Sequence, residues 1–261
     1  MISLFFVLTN TNETKPLDIL TISAVDKDTV RVITISRQKK SDVLFEKKDN
    51  GWVMLKPYQI RAHENRIATM LNLLSTRSLG QLNVRENDLN KYELDMPQLS
   101  LQLGEEVFYF GNINPLQNRR YVMAAHTIHL IDDRLFPQLQ QDTTFFISNK
   151  LLPAHITITE IIYPAHKLYN ENEQWQLTPV INNPVIKNKE LVSNWYQARA
   201  SKIEKLDARE SNEIILIKTK RNITYRFEII QSGPQLKLAR TDLGFVYTIN
   251  QSQNNQLTPE I

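Results

Sequence analysis

No cysteine occurs among the 261 residues. That excludes disulfides, thiolate metal sites and cysteine nucleophiles, and leaves both cytoplasm and periplasm open. Glycine is nearly as scarce, with 6 in the whole chain. Phosphate-cradling loops need glycines in fixed register, and Gly-x-Gly-x-x-Gly, the P-loop and the Gly-x-Ser-x-Gly elbow are all absent. Neither charge sign dominates: 31 basic and 28 acidic side chains leave a net +3. No basic run resembles a phosphate-tracking face, so nucleic acid is not an expected partner. Long apolar runs are missing too. The apolar start, residues 1–9 (MISLFFVLT), falls well short of the roughly 20 residues that cross a bilayer, and it lacks the basic flank of a signal peptide. The polar stretch 9–15 after it reads as a juxtamembrane linker. Residues 1–17 are therefore expected to be an anchor remnant or linker, the alternative being that the apolar start is a strand packed on the domain.

What the chain does contain is apolar material for two modest cores, 41% hydrophobic residues against 23% charged. The most recognisable stretch is 92–111, YELDMPQLSLQLGEEVFYFG. Leu99, Leu101 and Leu103 alternate with Ser100 and Gln102, and Val107-Phe108-Tyr109-Phe110 follows a short turn, which predicts a hairpin with one buried face. Pro97 blocks helix continuation, so residues 86–94 should form a helical turn that ends before it.

Upstream, 29–36 (TVRVITIS) and 43–47 (VLFEK) read as a hairpin, and Asp49-Asn50-Gly51 leads into a third strand, 52–57 (WVMLKP). Trp52 is expected to anchor the first core. Ile67, Met70, Leu71 and Leu74 fall at i, i+3, i+4 and i+7, one stripe of a helix over 62–75. Strands at 121–123 and 127–131 and a short helix at 134–141 complete the unit. Past Pro153 the order returns: strand 156–158, strand 166–170, then Trp175 to Pro179, with Trp175 123 residues after Trp52. A second helix carries Leu191, Trp195 and Ala198, and strands follow at 214–217, 223–230, 236–238 and 245–249. Element order and spacing recur together, which predicts two related units with Trp52 and Trp175 in equivalent buried places between sheet and helix.

The first copy resembles the bacterial domain-of-unknown-function family 4340. The residues that carry the likeness are Trp52 with Pro57, the Ile67 to Leu74 stripe, Tyr92-Glu93-Leu94-Asp95-Met96-Pro97, the hairpin from Leu99 to Gly111, Tyr121-Val122, and Ile128 to Ile131. The chain departs from the pattern at Glu93, where the family commonly has glycine, and a less tight turn is expected there. The resemblance implies a protein tethered by one N-terminal helix that faces outside the cytoplasm beside transporter or envelope systems. It brings no established catalytic residues.

His126, His129, Asp132 and Asp133 bring together ligand types that zinc or iron prefers. On one strand, however, residues three apart point to opposite faces, and the helical His-Glu-x-x-His spacing is absent. Glu105-Glu106 and Asp132-Asp133 read as solvated hairpin ends rather than acid pairs. His63, His155 and His166 stand isolated. No catalytic, cofactor or metal residue is assigned.

The expectation is an α+β protein of two tandem similar units, 18–150 and 151–261, each a mostly antiparallel sheet with one main amphipathic helix packed on it. Functionally it is expected to be a non-enzymatic envelope protein on the extracytoplasmic side of the inner membrane, an accessory that binds a protein partner. Apolar residues on both registers of some strands, Val107 and Tyr109 beside Phe108 and Phe110, and Tyr225 and Phe227 beside Ile229, put the partner surface on strands. The competing expectation is an extracytoplasmic hydrolase or glycan-active enzyme whose acid pair is assembled from distant loops.

Overall fold

In the computed structural model, which describes residues 20–83, 89–182, 184, 186–207 and 211–259, the chain forms two antiparallel sheets. The apolar start and its polar linker lie outside the described residues, as does the beginning of the expected 86–94 turn. The first sheet is built from β1 (Val32–Arg37), β2 (Val43–Lys48), β3 (Gly51–Lys56), β4 (Ile60–Arg61), β5 (Gln81–Asn83), β6 (Leu99–Leu103), β7 (Glu106–Asn114), β8 (Arg119–Ala124) and β9 (Thr127–Asp132). Helix α1 (Glu64–Leu71) precedes β5, and the short α2 (Phe136–Leu139) follows β9. The second sheet takes β10 (Ile158–Ile162), β11 (Lys167–Glu171), β12 (Gln174–Thr178), β13 (Lys202–Lys205), β14 (Ile214–Thr219), β15 (Thr224–Gln231), β16 (Leu236–Arg240) and β17 (Phe245–Ile249), with α3 (Asn188–Gln197) between β12 and β13.

The strand orders are β4-β3-β2-β1-β6-β7-β8-β9-β5 and β12-β11-β10-β14-β15-β16-β17-β13. Apart from β4 they are the same order. In each sheet the third strand lies toward one end and ends in a cis-proline, Pro57 or Pro179, while the strand after the helix closes the other edge.

Alternation decides which face is buried. In the first sheet Met54 pairs with Phe45, Phe45 with Ile33 and Ile33 with Leu103, and a second row runs Ile35, Leu101, Phe108. In the second, Leu177, Leu168, Ile161 and Ile217 form the matching row. All of these are buried and belong to one hydrophobic cluster fed by both sheets.

Three expectations need correction. The helices do not cover the sheets. Eight residues span about 12 Å, whereas nine strands spaced about 4.8 Å apart extend roughly 40 Å, so α1, which buries Ile67 and Met70 and packs by β3, reaches only part of that face. The chain after β9 covers more of the inner face: Phe136 meets Phe110 and Phe146 meets Phe45, each pair with ring centroids 6.0 Å apart. Second, Trp52 and Trp175 occupy equivalent places, two residues before the buried Met54 and Leu177, but both rings are only half-buried at the rim. The buried tryptophan is Trp195 on α3, whose Nε1 donates to the carbonyl of Leu257 at 2.9 Å and whose ring meets Phe227 at 5.5 Å. Third, Tyr225, Phe227 and Ile229 have one parity and face the core together. Their alternates, Arg226 and Glu228, lie on an outer face laced with ion pairs, among them Arg226 with Glu228 at 3.3 Å and Lys167 with Glu160 at 3.1 Å.

On the first sheet's outer face the turn Leu89–Tyr92 provides the covering. It ends in a Schellman cap: Leu94 N–H donates to the Leu89 carbonyl and Glu93 N–H to that of Asn90, at 3.0 and 3.1 Å, with Glu93 at φ 54°. That left-handed position favours glycine, so the turn is fully formed despite Glu93. Leu94 is buried against Gly111, and the Tyr92 ring packs on Tyr121 at 4.6 Å.

Candidate functional site

The connection between the units is itself a hydrogen-bonded strap. On one side Ser148 N–H donates to the Arg61 carbonyl and His63 N–H to that of Phe146, both at 2.8 Å. On the other, Ala200 N–H donates to the Asn149 carbonyl at 2.8 Å and Leu151 N–H to that of Ala198 at 3.3 Å. Phe146, Ile147, Leu151 and Leu152 are buried. The strap thus fills the gap between β4 and the chain entering β13, and a cleft opens on each side of it.

The first cleft, about 240 Å³, is lined by His63, Arg66, Asp142, Phe145, Ile147 and Ile203, among others. The Arg66 guanidinium lies 3.3 Å from the centroid of the Phe145 ring. Asp142 Oδ1 accepts from Thr144 N–H and Thr144 Oγ1, both at 2.9 Å, and the backbone bond holds its carboxyl below the ordinary range. His63 is lowered by burial and then by the Arg66 charge, and its Nδ1 has no hydrogen-bond partner. The second cleft, about 280 Å³, is lined by Arg61, Lys150, Tyr225, Arg240, Leu243 and Tyr247, among others. Its cations are engaged: Lys150 with Glu64 at 2.9 Å, Arg240 with Asp242 at 2.7 Å, and Arg61 with the Asn50 carbonyl at 2.8 Å. Burial pushes the Tyr247 hydroxyl up to about 12.

The residues weighed from the sequence are dispersed. His126 is not on a strand; with Ala125 it makes the two-residue turn between β8 and β9, at φ 66°, and is exposed. His129 is buried on β9, its Nδ1 3.0 Å from Ser78 Oγ. Asp132 points to solvent while Asp133 forms a two-pronged pair with the buried Arg120, both bonds 2.8 Å. Glu105 is exposed in its turn and Glu106 accepts from Ser23. Among the described residues no three metal-ligating side chains come together, and no helix is long and apolar enough to cross a membrane. Sequence reasoning missed both clefts, because each joins segments far apart in the chain, from His63 to Ile203 in the first and from Gln59 to Tyr247 in the second.

Residues 52–214 match the family described as "Domain of unknown function (DUF4340)". The chain belongs to this family. The matched region starts at Trp52 in β3, crosses the strap and takes in α3, so the DUF4340 match is not confined to the first unit. No curated protein and no solved structure matches the chain.

Proposed function

We propose that this DUF4340 protein is a non-catalytic, N-terminally tethered module on the extracytoplasmic side of the inner membrane. In this reading it is an accessory of a membrane complex, binds a protein partner through its strands, and carries a second unit that is a diverged copy of the first. The observation that carries the non-catalytic part is the state of the carboxylates at the junction. Glu64, Asp142 and Asp242 are all held below the ordinary range, by Lys150, by the Thr144 N–H and by Arg240. A general acid needs the opposite, a carboxyl raised by burial or by a neighbouring acid. This weighs against the hydrolase alternative. The shared strand order supports the copy, and family membership supports the tether. For the partner surface we favour the outer face of the first sheet, where Val107, Tyr109 and Met123 are half-buried.

A photocrosslinker at Tyr109 in intact cells, followed by mass spectrometry, tests the proposal. Recovery of a membrane-complex subunit is expected. Self-crosslinks alone, together with turnover of a glycan or ester substrate by the pure protein, would overturn it.

A further inference from the structure

Arg66 differs from the other guanidiniums at the core. Arg120 is paired with Asp133 and Arg240 with Asp242, and Arg37 donates to the carbonyls of Leu139 and Gln141. The Arg66 guanidinium makes no hydrogen bond or ion pair to any described residue, although its backbone N–H donates to the His63 carbonyl at 3.0 Å. One face is stacked on Phe145 at 3.3 Å, which leaves its N–H edge for something else. The one carboxylate lining the same cleft, Asp142, is already held by Thr144. His63 lines the cleft too, its unpartnered Nδ1 turned away from solvent. The remaining wall is mixed: Ile147 from the strap and Ala200 and Ile203 from the second unit are apolar, Asn149 and Ser201 are polar, and Lys202 is paired with Glu204 at 2.7 Å.

We propose that this cleft binds a small carboxylate with an apolar body, the carboxylate on the Arg66 edge and the body against Phe145, Ile147 and Ile203. A planar fork of N–H donors matches a carboxylate bidentately, and stacking fixes its plane before the ligand arrives. At about 30 Å³ per non-hydrogen group, the 240 Å³ cleft holds roughly eight such groups. A branched six-carbon acid fits, and so does the last residue of a peptide. Because the walls come from both units, an occupant would bridge them. This inference stands independently of the accessory-protein reading.

Isothermal titration of the full chain with 4-methylpentanoate tests it, with 4-methylpentanamide and inorganic phosphate as controls. Saturable binding of the acid is expected, at least tenfold weaker for the amide and at least tenfold weaker in Arg66→Gln, with an intermediate loss in Arg66→Lys. Circular dichroism checks that the variants fold, and Ile203→Glu, which sets a negative charge in the cleft, should abolish binding if Arg66 variants do not fold. N-acetyl-leucine binding as tightly as the free acid would identify a peptide terminus as the source, and preference for the free acid a small metabolite. Absence of saturable binding, phosphate binding as tightly as the acid, or an Arg66→Gln variant that binds normally would overturn the proposal.

Discussion

Replacing Gly111 with alanine asks whether the stretch 92–111 is held together as the fold implies. A Cβ on Gly111 would collide with the Tyr92 carbonyl oxygen and stand 3.0 and 3.1 Å from Leu94 Cγ and Cδ2. The carbonyl is backbone inside a hydrogen-bonded cap, so no side-chain rotation relieves the contact, and the turn must lift from β7. Lifting it uncovers Leu94, which is 2% exposed. Full burial of a leucine is worth about 1.5–3 kcal/mol, and the Tyr92–Tyr121 ring contact adds about 0.5–1.5 kcal/mol. Gly111→Ala should therefore cost about 2–4 kcal/mol, measured as a fall in urea midpoint at unchanged slope by far-UV circular dichroism. Leu94→Ala alone should cost about 2–5 kcal/mol. The double variant should fall short of the sum by about 1–2 kcal/mol, because the first change has already undocked the side chain removed by the second. A Gly111→Ala protein within about 0.5 kcal/mol of the parent, or strictly additive losses, would refute the reasoning.

Glu93→Gly should stabilise by about 0.5–1 kcal/mol, since glycine removes the left-handed strain at φ 54° and returns only part of that gain as chain entropy; a lower urea midpoint would contradict it. Trp195→Ala should cost about 3–5 kcal/mol, while Trp52→Ala and Trp175→Ala, at the rim, should each cost less than half as much in the same titration. Burial lowers both His63 and His129, so the unfolded chain takes up their protons first. The stability they contribute is complete above the ordinary imidazole value near 6.5 and is lost as pH falls below it. The melting temperature should therefore drop between pH 7.5 and 5.5, with a shallower slope in His129→Gln.

Much of the fold was legible because it rests on local pattern. The hairpin β6–β7, the run Trp52 to Pro57 and the helix stripe from Ile67 follow from alternation and the 3.6 period, and the order of these elements foretold that the two sheets would share a topology. What escaped notice depends on relations between distant residues. β13 reads Lys-Ile-Glu-Lys, which has no strand signature of its own and becomes a strand because β17 lies beside it. The strap at 146–151 looks like an ordinary linker until both of its edges are found hydrogen-bonded. Trp52 lies shallower than its ring size suggests, because a residue at the start of a strand, directly after a turn, sits at the sheet's rim. The site fared worst: Arg66 reads as a solvated helix charge, and only the approach of Phe145, 79 positions on, turns it into one wall of a cleft. The glycines separate the two kinds of information. Position 93 requires only a dihedral angle, which another residue can adopt at about 1–2 kcal/mol, and the chain carries glutamate there. Position 111 requires empty space against a backbone carbonyl, which no side chain leaves. A lone glycine inside a strand was the one sequence signal of that contact, and it marks where the covering turn docks.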